Sequence, residues 1–222
     1  MEGNTSTTDF PDEWMISKED HVQITQAIRD AEKRTSGEIY AVVAHASDDY
    51  FYVAGFMAAV WTLALALVVA FGTWLLNAPL PPLTIAAAQT LALMVILFTF
   101  AIKPTWRLLF VPHTIAHRRA SNNALRQFLA HGVHATADRS GILLFVSLAE
   151  HHAQVVADAG INGKVTQSDW DEIVKLLTSH AKQNKLAEGF LKAIDSSAQL
   201  LAIHYPPSSG RQNELDDRLV EI

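Results

Sequence analysis

The residues best suited to chemistry in this chain are histidines and carboxylates at helix, strand and turn positions. His113 and His117 stand four apart and share a face of a helix, His131 and His134 stand three apart, and His151 and His152 crowd one turn. Neutral imidazoles and carboxylates bind divalent metal ions, so a site forms where such groups converge in the fold. Glu38 and Asp158 fall at the ends of two strand-like segments, where α/β sheets form their ligand clefts. Glu38, Asp158, His151 and His152 are therefore the candidate metal ligands, with a divalent metal ion as the candidate cofactor. The competing reading makes the histidines surface or headgroup-facing groups and the carboxylates solvated or capping groups, because no carboxylate or cysteine partner sits at a diagnostic ligand spacing.

Other chemistry is excluded by composition. The chain has no cysteine, which removes disulfides, thiolate-bound zinc and thiol nucleophiles. It has no glycine-rich phosphate loop ending in Lys-Ser or Lys-Thr. No catalytic residue is identified by motif. The net charge of −6 gives no basis for nucleic-acid binding.

The elements that must position these groups are interrupted by an uncharged stretch. Between Asp49 and Lys103 there is no charged residue and no histidine, and Asn77-Ala78-Pro79-Leu80-Pro81-Pro82 divides the run. A helix needs roughly 20 apolar residues to cross a bilayer, and residues 51–76 and 83–102 both suffice. Proline removes a backbone donor and disfavours helix in the residue before it, so the divider is the tip of a transmembrane hairpin. Tyr50, Tyr52 and Trp106 suit an interfacial aromatic belt at the other ends. Lys103, Arg107, Arg118 and Arg119 follow the second span and the tip carries no charge, which places both termini in the cytoplasm and the spans in the plasma (inner) membrane. With no basic n-region or early apolar stretch, the first span serves as the insertion signal. Neither span contains an ionisable residue, which argues against a transporter. Gly55, Ala58, Ala59, Gly72 and residues 86–88 allow close helix approach or oligomerisation; the oligomeric state is left open.

The rest of the chain divides as a polar N-terminal tail (1–16), the first part of a soluble domain (17–49), the hairpin (50–102), an interfacial helix with the remainder of the domain (103–205) and a disordered tail (206–222). The first helix runs from Ser17 to about Thr35, with Asp20 completing a capping box and Ile24, Ala27, Ile28 and Ala31 forming its stripe. Residues 38–46 are a nearly all-apolar run typical of a strand covered on both faces. A helix over 113–131 takes its core face from Leu125, Phe128 and Leu129. Residues 142–148 and 153–158 form a β-hairpin. Ser168 with Asp171 caps a helix carrying Trp170, Ile173, Val174, Leu177 and Ala181, and a last helix presents Leu186, Phe190, Ile194, Ala198 and Leu201.

Ser36-Gly37-Glu38-Ile39 opening a strand, the run from Arg139 through Ser140-Gly141 to Glu150, and Val155-Val156-Ala157-Asp158-Ala159-Gly160-Ile161 together resemble the TPM-domain family, also labelled TPM phosphatases. The resemblance implies a small α/β/α sandwich, here with the hairpin inserted after the first strand. It also implies membrane association, roles in photosystem assembly or repair or as receptor accessory proteins, and in some members acid phosphatase activity or divalent-metal binding. The chain differs from the usual pattern in having His151-His152 after Glu150, where Arg is common, and in charge flanks that put the domain inside. Two functional classes follow: a membrane-anchored interaction or assembly factor acting on other membrane proteins, and a divalent-metal-dependent phosphatase at the membrane surface.

Overall fold

The computed structural model describes residues 16–207 and 213–222, so the expected N-terminal tail lies outside the described residues apart from Ile16. The chain forms two compact units, one over residues 48–116 and the other built from the segments before and after it.

The second unit starts with α1 (Lys18–Glu32), whose Ser17 hydroxyl accepts from Asp20 N–H at 3.1 Å while the Asp20 carboxylate accepts from Ser17 N–H at 3.3 Å. This reciprocal pair satisfies two donors that a helix start otherwise leaves open. The apolar runs become β1 (Glu38–Ala44) and β2 (Gly141–Ser147), every residue of which is buried. They pair in parallel, β3 (His152–Ala157) lies antiparallel to β2, and β4 (Leu219–Glu221) adds in parallel to the other side of β1, giving the order β3-β2-β1-β4.

Alternation along each central strand feeds two cores. Ile39, Ala41 and Val43 with Ile142, Leu144 and Val146 pack against α1, α6 (Gln167–Ala181) and α7 (Leu186–His204), while Tyr40, Val42, Leu143 and Phe145 pack against Ala124 and Phe128 of α4 (His113–Ala130). Covering both faces explains why these strands read as continuous apolar runs, and each large buried side chain contributes about 1.5–3 kcal/mol. The short α5 (Ala159–Asn162) follows β3 directly. This is the expected α/β architecture with two layers of helices around a sheet.

Three local expectations are corrected. In α4 the buried positions include Ala120, Ala124 and Phe128, whereas Leu125 and Leu129 are 50% and 51% exposed, because small side chains let the helix lie close to the sheet. The α6 start is served by Thr166 with Asp169 instead of Ser168 with Asp171: the Asp169 carboxylate accepts from Thr166 N–H at 3.1 Å and from its hydroxyl at 2.6 Å. The tail is not disordered to its end. Leu219 is buried, Ile222 N–H donates to Val43 and His45 N–H donates to Ile222, so residues 219–222 complete the edge of β1. Residues 208–212 of that tail lie outside the described residues.

The first unit contains α2 (Phe51–Leu75) and α3 (Pro82–Ile102), which lie in the chain between β1 and β2. Both are long and apolar enough to cross a membrane, and among their residues only Ala54, Ala58 and Phe100 are buried. They pack where Ala54, Ala58 and Phe100 are buried, and a Cβ at Gly55 would stand 3.3 Å from Leu97, so the absent side chain permits the approach. A Cβ at Gly72 would meet nothing. Tyr50 is buried in this contact and not at a surface, while Tyr52 and Trp106 are exposed. A short 3-10 stretch, Pro104–Phe110, follows α3.

Candidate functional site

The four candidate ligands divide between opposite ends of the sheet. Glu38 opens β1 opposite Gly141, and Asp158 follows β3 with its N–H donating to the Gly141 carbonyl. His151 and His152 lie at the other end, where β2 passes into β3. Seven residues of strand separate the ends, roughly 20 Å at about 3.3 Å per residue. Among the described residues, no group of three or more His, Asp or Glu is arranged to hold a metal ion.

Asp158 is committed to structure. Its carboxylate accepts from Arg139 Nε at 2.8 Å and Nη2 at 3.1 Å and from Ala159 N–H at 2.6 Å, closing the open end of the β2–β3 hairpin. Tight packing accompanies the clamp: a Cβ at Gly160 would fall 2.4 Å from the Arg139 carbonyl oxygen, and one at Gly141 2.3 Å from that of Val133. The motif residues from Arg139 to Gly160 thus hold a hairpin together.

Glu38 sits among carboxylates. Its Oε1 lies 3.5 Å from Glu214 N–H, and nearby Glu32 accepts from Ile39 N–H at 3.2 Å. Burial, followed by the Glu38 charge and Asp217, raises the Glu32 carboxyl to about 9, so it is protonated at neutral pH. Asp217 itself pairs with Arg29 at 3.2 Å.

The opposite end holds a buried polar network that motif reading missed. Ser147 donates to Glu150 and lies 2.7 Å from the Ser47 hydroxyl, and Glu150 also accepts from Ser47 N–H at 2.8 Å. Asn123 reaches Ser47 at 3.5 Å. With Ser147 fully buried and Glu150 3% exposed, the network fixes the strand ends and the turn. Among the described residues no histidine bonds to Ser147, so the serine lacks the imidazole base that nucleophilic catalysis would use.

The histidines regroup here by tertiary packing. The His117 and His152 rings lie 5.0 Å apart, and His152 Nε2 is 3.3 Å from Gln154 Oε1. His131 instead meets the Tyr40 hydroxyl at 3.0 Å, and His134 faces the Phe128 ring. His151 has φ of +50°, a left-handed backbone unusual for a residue with a side chain. His151 and His152 border a cavity of about 290 Å³ between the β2–β3 turn and the helices. Asp169 and Asp171 form an Asp-x-Asp spacing, but Asp169 serves the start of α6 and Asp171 accepts from Gln167 at 2.9 Å.

The sequence profile of the TPM domain matches residues 105–200, a segment that includes α4, the β2–β3 hairpin with its Arg139–Asp158 clamp, α6 and most of α7. Over those residues the chain is similar to the TPM domain. Its first helix and strand precede the matched segment and are separated from it by α2 and α3. Among solved structures, the chain is similar to the BA42 protein from the psychrophilic bacterium Bizionia argentinensis, solved by NMR, at 18% identity and a TM-score of 0.58, over 94% of this chain and 96% of that one. That likeness concerns the fold. No curated protein matches the chain.

Proposed function

We propose that this is a membrane-anchored TPM-domain protein with two spans, both termini cytoplasmic, that acts as an interaction or assembly factor for other membrane proteins at the inner membrane face. The observation that carries the tether is the pair α2 and α3, apolar around their whole circumference and exposed along most of their length. In water such a surface would be a large aggregation liability, whereas in a bilayer it is matched to its solvent. The basic residues after α3 and the uncharged tip support the orientation.

A binding role is favoured over catalysis by the separation of Glu38 and Asp158 from His151 and His152, and by the commitment of Asp158 to Arg139. A metal-dependent phosphatase would need such groups within reach of one phosphoryl oxygen. The test uses full-length protein from washed membranes. It should stay with the membrane after alkaline carbonate extraction, crosslink reproducibly to the same integral membrane proteins, and leave p-nitrophenyl phosphate unhydrolysed with Mg²⁺, Mn²⁺ or Ca²⁺. Release into the carbonate supernatant would refute the tether. Metal-dependent turnover abolished by Glu38→Gln would refute the non-catalytic role.

A further inference from the structure

We propose that the outer edge of β3 is a dimer interface, pairing antiparallel across a two-fold axis with the β3 edge of a second copy of this chain. β3 is an outermost strand, and its ladder with β2 engages only alternate residues. The bond from Asp158 N–H to the Gly141 carbonyl sets that alternation: His152, Gln154 and Val156 face β2, while Ala153, Val155 and Ala157 turn their N–H and C=O groups outward. No described residue hydrogen-bonds to those outward groups.

The two edges of the sheet differ in how they are guarded. On the far side the outermost strand is β4, only three residues long, with Arg218 before it and Glu221 within it. Beyond its reach, the Ile39 N–H donates to the Glu32 carboxyl. Short length and charge keep an edge from recruiting another strand. β3 has neither. Its six residues, His152 to Ala157, include no Asp, Glu, Lys, Arg or proline, and they pair with β2 one to one without a bulge. Such a strand is a template for strand addition.

The occupant follows from the symmetry of the strand. Two copies of one edge related by a two-fold run antiparallel, and a pair centred on Val155 engages all three outward residues. Ala153 then stands opposite the partner's Ala157, and Val155 opposite the partner's Val155. These small and β-branched side chains all lie on the face turned to the core shared with α6 and α7, and no like charges are opposed. Two four-stranded sheets become one of eight that ends on β4 at both sides, so assembly stops at two copies. A seam of one strand pair is small, which makes the dimer reversible.

The test follows full-length protein in detergent micelles from about 1 to 100 µM by light scattering and residue-resolved hydrogen exchange. A concentration-dependent dimer is expected, in which the amides of Ala153, Val155 and Ala157 gain at least about tenfold protection while that of Val156 is protected throughout. Val155→Pro removes an N–H that β2 does not use, a change edge strands accommodate, and should weaken dimerisation at least about tenfold while the thermal midpoint is kept. Val155→Thr retains the N–H and should dimerise like the wild type. Ala153→Pro makes the same test at the end of the seam, should Val155→Pro fail to fold. A monomer at every concentration, a dimer indifferent to the folded proline variants, or protection of the three amides already present in the monomer would overturn the proposal. So would protection that requires a different, co-purified protein.

Discussion

Arg107 and Asp49 form an ion pair that joins the start of α2 to the end of α3. The Arg107 guanidinium also donates to the Phe100 carbonyl from Nε at 2.9 Å and from Nη2 at 2.8 Å, and it lies over the Phe51 ring at 5.2 Å. Only 11% of the side chain is exposed. A planar fork is needed to reach the Phe100 and Asp49 carbonyls, a carboxylate and a ring together, and lysine cannot supply it. Arg107→Ala should therefore lower stability by about 2–3 kcal/mol, and Arg107→Lys should recover less than half of that, as read by thermal unfolding in detergent.

The absence of native cysteine makes topology directly measurable. A single cysteine at Ala78, in the turn between α2 and α3, should react with a membrane-impermeant maleimide in intact cells. One at Asp171, on α6, should react only after lysis. The reverse pattern would invert the proposed orientation.

Glu32 sets a pH dependence with a defined sign. Its carboxyl is raised from 4.5 to about 9 in the folded protein, first by burial and then by Glu38, so the native state holds a proton that the unfolded chain has released between those values. Its contribution to stability is complete below about pH 4.5 and is lost as pH rises toward 9, with a slope of at most about 1.4 kcal/mol per pH unit. Glu32→Gln should flatten the decline in denaturation midpoint between pH 6 and 9. An unchanged profile would assign the decline elsewhere.

Glu150 is the hub of the network at the β2–β3 turn. Glu150→Ala removes the acceptor for the buried Ser147 hydroxyl and for the part-buried Ser47 N–H, so a loss of about 2–4 kcal/mol is expected in urea unfolding. Glu150→Gln should fall between the two, since its amide keeps one acceptor.

Leu219 anchors β4 to the sheet at 4% exposure. Leu219→Ala should cost about 2–3 kcal/mol, and removal of residues 219–222 should increase aggregation by baring the edge of β1.

Legibility in the sequence followed the strength of local signals. The strands β1 and β2 were readable because burial on two faces leaves long apolar runs, and the helices α2 and α3 because both are long, apolar and uncharged. Ser17 with Asp20 is readable because a capping box is local, whereas Thr166 with Asp169 and Ser168 with Asp171 offer the same spacing two residues apart, and only the fold selects the first. β4 is three residues within a polar segment and is specified by its pairing with β1, which no periodicity reveals. The site was legible in part: His151 and His152 border the cavity, but that His152 would meet His117, and that Glu38 and Asp158 would lie at the far end, depended on strand direction and register. The network of Ser47, Ser147 and Glu150 spans about a hundred positions and had no local signature.

The pairing of β1 with β4 also sets an order in time. β1 must wait for β4 through the synthesis of both apolar helices and of every other element of its domain. Closure of the sheet therefore comes late, and the β1 edge stays open to wrong partners until residues 219–221 have emerged. A nascent chain stalled before Leu219 should be more protease-sensitive at β1 than one that extends beyond β4, which makes the arrival of β4 the step that seals the domain.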